Sequence, residues 1–301
     1  MSNAIDNRKI AIIGTGMVGS TIAYTLMEQG LFSEIVLVNA HRERAEGEAM
    51  DINHAMTFLS PMNIYAGDYD DIVDASIIIV TAGAGQKVGE TRLDLVRKNA
   101  AILGGIIPEI ARRDYQGILL IVSNPVDILT HVALKLSGFP RCRVFGSGTV
   151  LDTARLKYLI GEHGDSEIPV WSSTCVSGIP LNTFCELRGF HEHQASMQRL
   201  AQSVKNSAYE IIKRKKATYY GIAMAVRYIC AAIVRNERSV LPVSCHLEGE
   251  YGLRDVTLSV PAIVGCSGIQ KILPLALDRE ESAAFAESAR ILKETAASLE
   301  L

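Results

Sequence analysis

The first twenty residues constrain this chain more than any other stretch. A short β-branched run, residues 9–13, delivers it into Gly14-Thr15-Gly16-Met17-Val18-Gly19, and a helical pattern follows over 17–29. In a G-x-G-x-x-G between strand and helix, the first glycine permits the tight turn. The second lets backbone approach a pyrophosphate, and the third lets the helix pack on the strand. The helix N-terminus then faces phosphate charge. A plain packing turn is the competing reading. The strand before and the helix after favour nucleotide binding, with Gly14, Gly16, Met17, Val18 and Gly19 as cofactor contacts.

The same two periods recur. Residues 35–38, 77–80 and 118–122 read as buried parallel strands, and 42–55, 93–112 and 126–136 as helices between them. Such alternation implies right-handed βαβ units on a doubly wound parallel sheet, whose ligands bind at the carboxyl edge. Asn124-Pro125 suits a tight turn at that edge. After about Gly146 the pattern changes to helix 149–160, strand 170–176, helices 192–213 and 219–236, strands 239–247 and 256–264, and helix 280–299. The expected fold class is α/β, an N-terminal Rossmann domain over 1–145 plus a C-terminal α+β catalytic domain over 146–301, in keeping with a 301-residue length.

An acidic residue about twenty positions past the glycines normally holds the adenosine ribose, and here that position is Asn39. An amide still accepts a ribose hydroxyl, but it lacks the charge that repels a 2′-phosphate. NAD is expected over NADP, with weaker discrimination than Asp would give.

Composition removes other classes. Thirty Lys+Arg against 33 Asp+Glu give a net charge of −3, the wrong balance for a protein held to nucleic acid by phosphate neutralisation. The run Lys213-Arg214-Lys215-Lys216 reads as cations at a helix end rather than a nucleic-acid patch. The apolar stretch 75–84 is too short to span a bilayer, and 221–234 is broken by Arg227. The N-terminus shows no signal-peptide pattern, so the expected location is cytoplasmic. Six cysteines, Cys142, Cys175, Cys185, Cys230, Cys245 and Cys266, have no CxxC spacing and read as buried free thiols, with no metal site expected.

The chemistry-bearing segments are the loop Gly83–Arg92, Ser123-Asn124-Pro125-Val126-Asp127, Leu151-Asp152-Thr153-Ala154-Arg155, Gly161-Glu162-His163-Gly164-Asp165 and Ala217-Thr218-Tyr219-Tyr220-Gly221. With the glycine-rich turn, these ordered motifs resemble the lactate/malate dehydrogenase family over nearly the whole chain, on its bacterial lactate side. The resemblance implies NAD-dependent interconversion of pyruvate and lactate in glycolytic fermentation by a homo-oligomer, tetramer or dimer. It implies His163 as proton donor and acceptor at the substrate oxygen, oriented by Asp152. Arg155 would grip the substrate carboxylate through its planar fork, and Arg92 would close over the site and stabilise charge on the carbonyl oxygen. Asn124 would lie near the carbonyl and nicotinamide, and Thr218 would line the pocket. Thr81, Ala82, Gly83, Asn99 and Ser123 join the cofactor contacts. Gln86 stands where a malate enzyme carries Arg to pair a second carboxylate, so it favours lactate. Taken singly, Arg92 and Arg155 also fit helix-start or helix-surface ion pairs, and Gln86 an exposed loop amide. Lys216 replaces a glycine that the family pattern leads one to expect.

One departure is large. Leu156–Ile160 runs directly into Gly161-Glu162-His163, and roughly fifteen residues of the family pattern are absent. A helix from Asp152 to Ile160 advances about 12 Å. Three further residues return at most about 10 Å. Pairing Asp152 with His163 then needs an almost complete reversal or an early end to the helix. Either the deletion is real and the pair compromised, or the segment is missing only from the sequence as written, which the otherwise intact motifs favour. The same stretch would carry a histidine for fructose 1,6-bisphosphate, and Lys157 stands where the family's second basic residue is Arg. Sugar-phosphate activation is therefore not expected.

Rival functions have distinct signatures. A malate dehydrogenase would turn over oxaloacetate at least as well as pyruvate. An NAD-dependent glycosidase would need a tightly bound metal. A binding protein without catalysis would hold nucleotide and turn over no 2-oxo acid.

Overall fold

Fully apolar runs of four to eight residues become strands buried on both faces, because alternate side chains leave the pleat in opposite directions. The computed structural model describes residues 6–85, 90–159, 175–176, 179–180, 208 and 210–299. Within them, β1 (Asp6–Ile13), β2 (Glu34–Val38), β3 (Asn63–Ala66), β4 (Ala75–Val80), β5 (Ile118–Ile121) and β6 (Val144–Gly146) form a parallel array. Three antiparallel strands, β9 (Ser239–Glu248), β10 (Arg254–Gly265) and β11 (Gly268–Ile272), extend it beyond β6, where Gly146 pairs with Ser244. The whole is one nine-stranded sheet of order β11-β10-β9-β6-β5-β4-β1-β2-β3. A separate two-stranded piece joins β7 (Cys175–Val176) to β8 (Ile179–Pro180).

Period-two alternation divides the core. Ile10, Ile12, Ile35, Leu37, Ile77 and Ile79 face one side, where α1 (Met17–Gln29), α2 (Arg42–Ala55) and α6 (Tyr220–Val234) pack. Ala11, Ile13, Val36, Ile78, Val80 and Leu119 face the other, under α3 (Arg92–Ala111) and α4 (Val126–Ser137). The helix α5 (Val150–Leu159) lies against α6 and β9, and α7 (Arg279–Ala297) closes over α4 and β10.

Several expectations shift in detail. A short strand, β3, lies between the predicted helix 42–55 and the predicted strand 77–80, and β6 and β11 also went unseen in the sequence pattern. Helix 149–160 is Val150–Leu159. Of the predicted strand 170–176, only Cys175–Val176 lies among the described residues, and most of helix 192–213 lies outside them. Cys230 and Cys245 are buried as expected, but Cys142 is half-buried and Cys266 exposed, because Cys266 sits in the turn that joins β10 to β11. No described helix is long and apolar enough to cross a membrane.

Candidate active site

The chain leaves β1 for β2 and β3 on one side, then returns to β4 on the other, so the strand order reverses between β1 and β4. A crevice at the carboxyl ends of strands opens at such a reversal. The residues that follow those ends are Gly14 after β1, Asn39 after β2, Thr81 after β4 and Ser123 after β5.

The three glycines of the turn differ in what demands them. Gly14 has φ +101°, donates its N–H to the Val38 carbonyl at 2.8 Å, and leaves a Cβ only 2.6 Å from the Ala82 nitrogen. A Cβ on Gly19 would lie 1.9 Å from the Gly14 oxygen. Both are fixed by protein packing. Gly16 is different: its φ is −77° and a Cβ there would meet nothing within 4 Å. Nothing among the described residues requires glycine at position 16, and a bare backbone is what an approaching pyrophosphate needs. Gly16 is also the N-cap of α1, with no side-chain cap and no acidic residue in the first turn. The first N–H groups beside Met17 and Val18 therefore keep their capacity for an anion. These features fit a dinucleotide.

Asn39 ties this turn to β2. Its amide nitrogen donates to Thr15 Oγ1 at 2.7 Å, and its oxygen accepts the His41 N–H at 3.0 Å. Thr15 is fully buried, and its part in holding Asn39 was not read from the sequence. Residue x of a G-x-G carries no signal of its own.

On the β4 side, Thr81 Oγ1 donates to the Gly14 carbonyl at 2.6 Å, and Ser123 Oγ donates to the Ala82 carbonyl at 2.7 Å. Asn99, buried in α3, receives the Ala84 N–H at 2.7 Å and donates to the Asn124 carbonyl at 2.8 Å. One amide thus joins the loop through Ala82 and Gly83 to the turn that carries Asn124, whose side chain is exposed and whose bond to Pro125 is cis. Thr91 caps α3 in a reciprocal box with Asp94, accepting its N–H at 3.1 Å. Arg92 is therefore the first helical residue, where the loop ends, and the loop is anchored there by a 2.6 Å ion pair of Glu90 with Lys98.

On the far side of the crevice, Gly148 (φ +54°) and the Thr149 N–H, 2.9 Å from the Pro242 carbonyl, dock the start of α5 on β9. Asp152 is half-buried in the first turn of α5. A Cβ on Gly221 would touch Leu151 at 2.8 Å, so the start of α6, with Thr218 half-buried just before it, lies beside Asp152's turn. The structure brings Gly14, Asn39, Thr81, Ala82, Asn99 and Ser123 to the carboxyl ends of the strands, and it sets the first turn of α5 beside the start of α6. Gln86 and His163 lie outside the described residues, as do the side chains of Arg92 and Arg155. The helix α5 continues through Leu159, so it does not end early.

The basic run ends a helical turn over 210–215. Arg214 pairs with Glu210 at 2.8 Å, and the Lys215 ammonium sits 3.5 Å above the Tyr219 ring. Lys216 adopts φ +73°, the left-handed conformation that a glycine would take without cost.

Comparisons with known proteins fit this geometry. The family model for the lactate/malate dehydrogenase NAD binding domain matches residues 8–146, and that for the family's alpha/beta C-terminal domain matches 147–300. An L-lactate dehydrogenase of Acetivibrio thermocellus is 50% identical over 317 positions, covering 100% of both chains. One from Priestia megaterium is 48% identical over 96% of this chain and 95% of its own. The crystal structure of a minor L-lactate dehydrogenase from Enterococcus mundtii superposes with a TM-score of 0.91 at 42% identity, covering 98% of this chain and 99% of its own. Spanning 317 positions with 301 residues leaves 16 positions of the Acetivibrio relative without a counterpart here.

Proposed function

The chain belongs to the lactate/malate dehydrogenase family, and from that premise we propose that it is an NAD-dependent L-lactate dehydrogenase that reversibly reduces pyruvate to (S)-lactate. The observation that carries the reading is the uncapped, acid-free N-terminus of α1 behind a glycine that no contact among the described residues requires. When bound, NADH supplies the hydride that reduces the ketone carbon.

The chain's own residues do the rest. His163 gives a proton to the ketone oxygen, and takes it back in the reverse direction. Asp152 orients the imidazole and favours its charged form. Arg155 holds the substrate carboxylate by two parallel hydrogen bonds, which a lysine could not supply. Arg92 stabilises negative charge developing on the oxygen, from a position where the loop ends and α3 begins. Gln86 is neutral and supplies no charged partner for a second carboxylate, so oxaloacetate binds poorly. Asn124 and Thr218 complete the pocket wall. Gly14, Gly16, Met17, Val18, Gly19, Asn39, Thr81, Ala82, Gly83, Asn99 and Ser123 hold the dinucleotide.

With α5 helical to Leu159, Asp152 lies seven residues, or about 10 Å, behind the helix end. Four peptide steps from Leu159 to His163 span at most about 14 Å. The pair is within reach if the chain turns straight back along α5. We place the boundary between nucleotide and catalytic halves at 145/146, and take the assembly to be a homo-oligomer in the cytoplasm.

The test is NADH oxidation with pyruvate and with oxaloacetate, run on the wild type and on His163→Ala. Pyruvate should be the better substrate, and the variant should lose about 10²–10⁴-fold in kcat. Retained turnover would remove His163 from its role. Nucleotide binding without turnover of either substrate in the wild type would instead mark a binding protein with an impaired site.

A further inference from the structure

Along α4, Asp127, His131 and Lys135 stand four residues apart and share one helix face. That face meets the hairpin β9–β10, whose cross-strand pairs include Ser244 with Ser259 and His246 with Thr257. On these strands Val243, Cys245 and Leu247 point to the apolar core, so the alternate residues Ser244 and His246 turn toward α4. The result is a polar seam between the two halves of the chain. Asp127 accepts from both serines, the two histidines share Thr257, and Lys135 pairs with Asp255 at 2.7 Å. The fold as described has no need of two buried imidazoles here, and the catalytic proposal does not use them.

We propose that His131, His246 and Asp255 form a binding site for a divalent transition-metal ion of the zinc class. One ring nitrogen of each histidine and one carboxylate oxygen lie within 4.8 Å of one another. Both rings are 8% exposed, with centroids 5.5 Å apart, while Asp255 is open to solvent and forms the entrance. Burial holds both imidazoles below the usual histidine range, so near pH 7 they are neutral and carry a lone pair for a metal.

Thr257 supplies the orienting contact. Its hydroxyl oxygen lies 3.3 Å from Nδ1 of His246 and 3.4 Å from Nδ1 of His131. With the proton on Nδ1 of each ring, that oxygen accepts from both through its two lone pairs, and both Nε2 atoms are free for a metal. Histidine ligands characteristically donate their second N–H to such a partner. His246 Nε2 is 3.9 Å from the Asp255 carboxylate. Two imidazoles, one carboxylate and a water match zinc, cobalt or nickel, whereas calcium and magnesium take oxygen ligands. Ligands around a tetrahedral ion sit roughly 3.3 Å apart at these bond lengths. The site therefore has to contract by up to about 1.5 Å, a movement in which the exposed Asp255 takes part. Lys135 is the competitor, because its ammonium already occupies the carboxylate.

Bound metal would fasten α4 to the hairpin and raise stability without entering the reaction. The test needs no turnover, so its failure is separate from failure of the proposed activity. Chelator-treated full-length protein is titrated with Co²⁺, read by visible absorption, and with Zn²⁺ in competition, alongside thermal unfolding. One ion per chain is expected, with a higher Tm. His246→Ala and Asp255→Asn should each weaken binding at least about tenfold, and Thr257→Val by about tenfold. Lys135→Ala should tighten it several-fold. Asp255 and Lys135 are exposed, so their variants keep the test standing if His246→Ala fails to fold. Absence of saturable Co²⁺ binding overturns the proposal. So does binding that His246→Ala or Asp255→Asn leaves unchanged, which would place the ion on other histidines.

Discussion

Gly16 and Gly19 sit in the same turn, yet replacing them by alanine should do opposite things. At Gly19 the new Cβ meets backbone 1.9 Å away and Thr81 Oγ1 at 2.8 Å, and neither is a flexible chain end. Gly19→Ala should cost at least about 2 kcal/mol of stability through overpacking. At Gly16 the methyl enters open space with an allowed φ. The lower chain entropy of unfolded alanine and its weaker N-cap preference offset each other, so apo stability should stay within about 1 kcal/mol. NADH affinity should nevertheless fall at least about tenfold, because the methyl occupies space a pyrophosphate needs. Urea unfolding and fluorescence titration check the two halves, and a Gly16→Ala protein with unimpaired NADH binding would refute the assignment. At Asn39 the expected change is in selectivity. Asp would accept from Thr15 by reversing that hydrogen bond, and would add charge against a 2′-phosphate. Asn39→Asp should raise the NADH over NADPH preference in kcat/KM by about tenfold, and an unchanged ratio would exclude Asn39 from the ribose site.

At the scale of elements, α4 shows what a polar stripe on an apolar helix does. Asp127 is half-buried and accepts from Ser244 and, at 2.9 Å, from Ser259, so one carboxylate joins α4 to two strands of the other half. Asp127→Ala leaves both hydroxyls without their acceptor and should cost about 1–3 kcal/mol, measured by denaturant unfolding. Asp127→Asn keeps an acceptor and should cost less. Burial raises this carboxyl above its ordinary value of 3.8, so the stability it lends is present below that pH and is lost as pH rises through the folded-state value. Relative to the wild type, Asp127→Asn should therefore gain stability as pH rises from 3.8, and the opposite slope would contradict the burial argument. Helices of this kind were legible in the sequence, because the spans 17–29 and 42–55 carry a helical period bounded by turns. The strands β1, β2, β4 and β5 were legible as dense β-branched runs. In contrast β3, β6 and β11 have only three to five residues, too short to establish a period. The cofactor turn was legible because its glycines are local in sequence. The seam was not, since 127, 131, 246, 255 and 257 meet only through the pairing of α4 with a hairpin more than a hundred residues away.

At the scale of the whole molecule, the described residues carry a surface that a lone chain does not explain. Tyr220, Met224 and Tyr228 recur at every fourth residue of α6 and are 67%, 51% and 52% exposed. Met17 and Tyr24 are exposed on α1, which packs directly against α6. Large apolar side chains gathered along two packed helices mark an interaction surface rather than scattered exposure. The proposed occupant is a second copy of this chain, in line with the homo-oligomer, dimer or tetramer, that the family resemblance implies. Met224 stands at the middle of the α6 stripe, so Met224→Glu places a charge where two copies would exclude water, a change worth several kcal/mol against association. Light scattering after size-exclusion chromatography should find the wild type as a dimer or larger at micromolar concentration. The variant should shift to monomer while its circular dichroism stays unchanged. Because α1 also carries the nucleotide-binding turn at its start, loss of the partner should weaken NADH binding as well. A wild type that is monomeric at those concentrations would leave the apolar stripe to some other partner and remove the dimer from the proposal.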